Sequence, residues 1–292
     1  MQAVYVLNEE PFYMTMASYS FRTLRQHNPT IPVLVYFVED KCRDSRGITN
    51  KETLSRQIKL VNKEELFQIC KELNIKLKIY NDLDLKEEKG YFSAQRIVFA
   101  ECPFERVILI DSDTFIFDDI TCLFDIYKDC DFAATTNTFG DHYPNTVFTT
   151  TNLKKKSLRA FNSGVVLFNN HLLRKYGEVV YDYCMSLKKK IHPMGEWVYQ
   201  VSQNAGGREE LAFTLFALDR ELNYVYFDSA HVEKEFYRGP TKIFHTLSHN
   251  WLTFFHNQYL KMNVLKVVAF QATVQQERKL FLPSKLIQRK RQ

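Results

Sequence analysis

The segment Arg106 to Ile110, RVILI, runs straight into Asp111-Ser112-Asp113, and this junction constrains the fold more than any other feature of the chain. A run of aliphatic residues with no polar alternation offers no face to water, so it reads as a strand covered on both sides, as in a parallel sheet flanked by helices. Such a strand delivers whatever follows it to the carboxyl edge of the sheet, where open α/β folds bind their ligands. Two further apolar runs, Ala3 to Leu7 and Pro32 to Val38 (PVLVYFV), bracket a helix-like segment, Phe12 to Gln26, with apolar residues at Met14, Ala17, Phe21 and Leu24. Strand, helix and strand in this order imply a right-handed parallel unit.

The same periodicity predicts helices over Lys63–Leu73, Phe92–Ala100, Ile120–Tyr127, His171–Lys189 and Arg208–Leu218. It predicts strands over Lys76–Tyr80, Phe115–Phe117, Asp131–Thr135, Phe161–Phe168, Tyr224–Phe227 and Lys242–Phe244, with the Phe161 strand beginning in a turn. The polar stretch Asn137–Ser157 reads as a long loop, either a place for acceptor recognition or an insertion. Residues beyond Asn250 read as helical or extended decoration. The expected organisation is therefore an α/β domain over 1–250 and a helical C-terminal extension over 251–292.

Size and composition narrow the function. A chain of 292 residues holds one complete enzyme. Its 24 Phe and 16 Tyr suit strands packed on helices and ring-lined pockets for sugars or bases. The net charge of +5 is concentrated in the last fifteen residues, RKLFLPSKLIQRKRQ, which hold six basic residues and no acid. No basic stripe with interleaved rings precedes them, so nucleic acid is not an expected partner. The tail itself suits peripheral contact with an anionic membrane surface, or a solvated terminus. Cys42, Cys70, Cys102, Cys122, Cys130 and Cys184 form no CxxC pair and read as reduced, mostly buried thiols. Neither a signal peptide nor a membrane span is visible, which makes a cytoplasmic enzyme the default, although a lumenal fragment cut from its leader would look the same.

The chemistry sits at Asp111 and Asp113. Two carboxylates spaced by two on an extended backbone start on the same side, and a divalent cation relieves their repulsion best. Oxygen ligands suit Mg²⁺ or Mn²⁺, which commonly bridge a diphosphate. The bland alternative is an Asx turn capping a strand end. A haloacid-dehalogenase-type phosphatase would use Asp111 as nucleophile, but its pattern wants Thr or Val two positions after the second Asp, where this chain has Phe115. No GxGxxG follows an early strand, which disfavours a dehydrogenase.

Taken in order, several segments resemble glycosyltransferase family 8, the glycogenin-like group with the GT-A fold. The opening strand ending in Asn8-Glu9 is similar to the family's uridine-holding strand and loop. VILIDSDTFIF, Val107 to Phe117, resembles its strand and DxD, with Arg96 upstream matching the basic residue that approaches the donor phosphates. Asn162-Ser163-Gly164 in FNSGVVLFNN is similar to its NSG turn facing the donor sugar, and Ile243 to His245 (IFH) resembles the strand that brings a third protein ligand to the metal.

The resemblance implies an α/β GT-A fold, a Rossmann-like, mixed and mainly parallel sheet flanked by helices. It also implies transfer from a nucleotide sugar, a UDP-hexose for preference, to a hydroxyl acceptor that is a glycan, lipid, protein or small molecule. Asp111, Asp113 and His245 would hold Mn²⁺ or Mg²⁺; Asn8, Arg96, Asp111, Ser112, Asn162, Ser163 and Gly164 would bind the donor. Beside that reading stands a protein that binds sugar nucleotide without catalysis. The chain departs from the family in two places. Where Asp-Gln is usual it has Arg208-Glu209-Glu210, so the acidic role near the reacting carbon falls to Glu210 or Glu209. Where Gly and Lys-Pro-Trp usually follow the His, it has HTLSHNW, which removes a phosphate clamp and bears on the retaining outcome and the donor.

Overall fold

The computed structural model describes residues 1–39, 58–81, 102–136, 147–149, 157–159, 161–169, 217, 220, 222–234, 241–246 and 251–259. The helices expected over Phe92–Ala100 and His171–Lys189, nearly all of that over Arg208–Leu218, and the basic tail lie outside them. The chain divides into two compact units, Met1–Leu247 and Ser248–Gln292.

In the first unit the opening is β1 (Gln2–Asn8), α1 (Pro11–His27) and β2 (Val33–Glu39), followed by α2 (Lys63–Glu72) and β3 (Lys76–Asn81). Then come β4 (Arg106–Ile110), β5 (Thr114–Ile116), the single-turn α3 (Leu123–Ile126), β6 (Phe132–Thr136), β7 (Val147–Thr149), β8 (Ser157–Arg159) and β9 (Phe161–Asn169). The last described strands are β10 (Tyr224–Tyr226), β11 (Val232–Lys234) and β12 (Ile243–His245). Among the described residues the central sheet has seven strands in the order β10-β6-β9-β4-β1-β2-β3. Strands β4, β1, β2 and β3 run parallel, and β9 runs antiparallel between β4 and β6. This is the expected mixed, mainly parallel sheet.

The apolar runs are buried, with α1 packed against β1 and α2 against β3. Ala3, Val4, Tyr5, Val35, Phe37, Val107, Ile108 and Ile110 are fully buried. Helix α1 starts cleanly: Pro11 occupies its first position, where a missing N–H costs nothing, and the Glu10 carboxylate accepts from the Phe12 and Tyr13 amides at 2.7 and 3.3 Å. Helix α2 begins with a reciprocal Asn62–Glu65 capping box. At the far end of α1, Arg25 donates to the carbonyls of Leu73 and Asn74, in the turn between α2 and β3, and of Ile31, in the loop before β2.

Two expectations need correction. The stretch Asn137–Ser157 is not a loop throughout, because β7 and β8 pair antiparallel within and just beyond it. Their residues, VFT and SLR, sit among polar neighbours, unlike the equally short but apolar β10 and β12. The charges of VEK hid β11 in the same way. In addition, the helix expected over Ile120–Tyr127 is only the turn α3, preceded by a Ser/Asp-type turn in which Asp119 accepts from the Thr121 amide and hydroxyl.

A small second sheet, β11-β12-β5, positions the site. Strand β12 runs antiparallel to β5 with His245 opposite Thr114, and parallel to β11. In the second unit Trp251–Phe254 forms a helical turn continued by a π-helical turn over Phe255–Tyr259, where the Trp251 and Phe255 rings stack 4.9 Å apart at 8°. No helix among the described residues is long and apolar enough to cross a membrane. Burial pushes the Cys70 thiol up to about 12 and the Cys130 thiol up to about 11, which suits inert core residues.

Candidate active site

Strand β4 ends at the carboxyl edge of the sheet, as its composition requires, but the backbone beyond it is not extended. Residues 112 and 113 form a turn that leads into β5. The carboxylates of Asp111 and Asp113 therefore converge because of this turn, not because of strand alternation. Backbone groups at both ends of the turn are held. The Asp111 amide donates to the Gly164 carbonyl at 2.7 Å, prolonging the ladder between β4 and β9. The Asp113 carbonyl accepts from the Thr246 amide at 3.0 Å and from its hydroxyl at 2.7 Å.

A buried chain of hydroxyls fixes the other carbonyl. Thr114 Oγ1 donates to the Asp111 carbonyl at 2.9 Å and lies 2.8 Å from Ser20 Oγ, which in turn lies 2.9 Å from the Tyr5 hydroxyl. Since Thr114 spends its proton on Asp111, Ser20 must donate to Thr114 and Tyr5 to Ser20. Burial pushes the Tyr5 phenol well above its ordinary range, so it stays a donor. Ser20→Ala is expected to strand the Tyr5 hydroxyl and cost about 1–3 kcal/mol, measured by urea unfolding. Adding Tyr5→Phe should return part of that loss, and a Ser20→Ala protein with an unchanged midpoint would refute the chain's contribution.

The Asn162-Ser163-Gly164 segment is a bulge within β9 and not the turn expected from sequence. On the β6 side, Ala134 pairs with Val166 while the next residue, Thr135, pairs with Asn162. Three residues of β9, Ser163 to Val165, thus stand against none on β6, while the register against β4 stays continuous. This brings Gly164 under the ring of His245. A Cβ built on Gly164 would overlap Cε1, Nδ1 and Nε2 of that imidazole, so only glycine fits.

Asp111, Asp113 and His245 come together as expected, each offering a ligand atom within 4.8 Å of the others. Asp113 and His245 are 6% and 3% exposed, so little solvent reaches them. His245 Nε2 stands 3.1 Å from Asp113 Oδ1, yet Oδ1 is buried and receives no hydrogen bond. A buried carboxylate oxygen without a donor, facing an imidazole nitrogen and a second carboxylate, is a donor set for a divalent cation. The residues present fit a metal.

The remaining expected residues divide by location. Asn8 is exposed at the carboxyl end of β1, opposite Val38 of β2. Ser112, Asn162 and Ser163 are buried beside the turn and the bulge. Arg96, Glu209 and Glu210 lie outside the described residues. Sequence reasoning missed Tyr5, Ser20, Thr114, Thr135 and Thr246. Their signal was faint: small hydroxyl residues interrupting the apolar stripe of α1 and flanking the acidic pair.

Among solved structures the fold is that of the GT-A glycosyltransferases. The apo form of mouse xyloside xylosyltransferase 1 matches at a TM-score of 0.51 and 14% identity, covering 85% of this chain and 98% of its own. The galactosyltransferase LgtC, solved with donor and acceptor sugar analogues, matches at 0.50 and 13%, covering 85% of this chain and 87% of its own. The apo form of GlyE from Streptococcus pneumoniae TIGR4 matches at 0.50 and 16%, over 90% of this chain and 64% of its own. No curated protein matches by sequence. Residues 4–200 match glycosyl transferase family 8, and the chain belongs to that family. It is a glycosyltransferase.

Proposed function

We propose that this glycosyltransferase moves a hexose-like group from a UDP-sugar to a hydroxyl acceptor with Mn²⁺, or Mg²⁺, held by Asp111, Asp113 and His245. The observation that carries the reading is the convergence of two carboxylates and a buried imidazole at the carboxyl edge of the sheet, with Asp113 Oδ1 lacking a donor. An imidazole beside two carboxylates favours Mn²⁺ over Mg²⁺. When bound, the metal would act as a Lewis acid on the diphosphate leaving group.

The chain's own residues have separate tasks in this reading. Asn8 at the end of β1 and Asp111 meet the nucleoside, while Ser112 and Arg96 serve the phosphates. Asn162, Ser163 and Gly164 line the sugar side, and Glu210 or Glu209 supplies the acid near the anomeric carbon. The bond between that carbon and the diphosphate oxygen breaks, a bond to the acceptor hydroxyl oxygen forms, and the acceptor's proton leaves. Family resemblance favours retention of configuration. The acceptor is a glycan, lipid, protein or small molecule. A panel of nucleotide sugars scored for nucleotide release with Mn²⁺ and with a chelator tests donor and metal together. Release from a UDP-hexose that stops on chelation is expected, whereas metal-independent release would overturn the metal assignment.

A further inference from the structure

Asn162 lies in the segment assigned above to the donor sugar, but its side-chain oxygen is engaged elsewhere. Three groups converge on Asn162 Oδ1: the Gly164 amide at 3.2 Å, His245 Nδ1 at 3.1 Å and Thr135 Oγ1 at 3.4 Å. A backbone N–H can only donate, so the atom facing Gly164 must be the carbonyl oxygen and not the amide nitrogen. The same oxygen faces His245 Nδ1, which must therefore carry a proton. In the neutral ring this leaves Nε2 with its lone pair, and Nε2 is the nitrogen that faces Asp113.

We propose that Asn162 is a positioning residue for the metal site, locking His245 in the tautomer and orientation that present Nε2 to the cation. The β9 bulge makes this contact. By skipping three residues against β6 it sets Asn162 opposite Thr135 and turns its carboxamide toward β12, while Gly164 leaves room for the ring. Without the bulge, regular alternation would carry the residue past His245. A hydrogen bond to the far nitrogen of a ligating histidine fixes its ring and raises its basicity, and losing such a partner weakens metal binding by about 10–100-fold.

The inference rests on the metal reading above, and the two can be told apart. Mn²⁺ binding is followed by the EPR signal of the free ion, with and without UDP, in the full chain. The wild type should bind, Asn162→Ala should bind about 10–100-fold more weakly, and Asn162→Asp, which keeps an acceptor oxygen for Nδ1, should bind close to wild type. Absence of Mn²⁺ binding by the wild type would overturn the metal reading itself. Equal binding by wild type and Asn162→Ala would overturn the role of Asn162 alone. A second measurement needs no Asn162 variant: long-range ¹H–¹⁵N correlation of histidine-labelled, metal-free wild type, with the His245 signals assigned by their loss in His245→Gln. A ring protonated at Nδ1 is expected, and a ring protonated only at Nε2 would overturn the proposal.

Discussion

Asp113→Asn is expected to reduce nucleotide release from the donor about a thousandfold while leaving the fold intact. The substitution preserves shape, and the Asp113 contacts with Thr246 run through the backbone carbonyl, which it does not alter. It removes one of two carboxylates facing His245 and turns part of an acceptor-only group into a donor, aimed at a site whose other members also accept. A cation on a departing diphosphate supplies several kcal/mol of charge stabilisation, and roughly 4 kcal/mol corresponds to about three powers of ten in rate. Turnover with the preferred nucleotide sugar and Mn²⁺ binding should fall together. Wild-type turnover in the variant would remove Asp113 from the metal site.

Gly164→Ala should damage the same site from below. The added methyl overlaps three atoms of the His245 ring, and the ring is the partner that must shift. Gly164 is held through its amide to Asn162 and its carbonyl to Asp111. His245 sits in β12 between β5 and β11. Overpacking of this kind costs about 1–3 kcal/mol, read as a shift of the urea midpoint, and Mn²⁺ affinity should collapse because the ring is displaced. A double-mutant cycle gives the decisive result. With His245→Ala also present the methyl has room, so Gly164→Ala should then cost little, a strong non-additivity that a general effect on β9 would not produce. Additive costs would rule out the clash as the cause.

Much of this protein was legible in its sequence for a physical reason. Strands β1, β2 and β4 are buried on both faces, so burial left no polar residue in their central positions and marked them as runs. The acids after Ile110 mark where that cover ends. Strands β7, β8 and β11 are short and carry polar or charged residues, so no apolar run marks them, whereas the equally short β10 and β12 are apolar and stood out. The bulge at Asn162 was likewise illegible, since Asn162-Ser163-Gly164 reads as a turn opening the strand and only the register of β9 against β6 reveals the three extra residues.

The hydroxyl chain was hidden for a related reason. Tyr5, Ser20 and Thr114 lie on three different elements and meet only when α1 packs on β1 and β5. By itself, then, the sequence determined the long apolar strands, the mainly parallel sheet and the edge at which Asp111 and Asp113 emerge, because these follow from local periodicity and from the need to cover apolar strands. Tertiary structure decided the chemistry of the site. The two carboxylates converge through a turn held by distant hydroxyls, and His245 faces them across Gly164 with its Nδ1 proton fixed by Asn162. Those are contacts between residues far apart in the chain, and no local pattern encodes which atom of a side chain meets which.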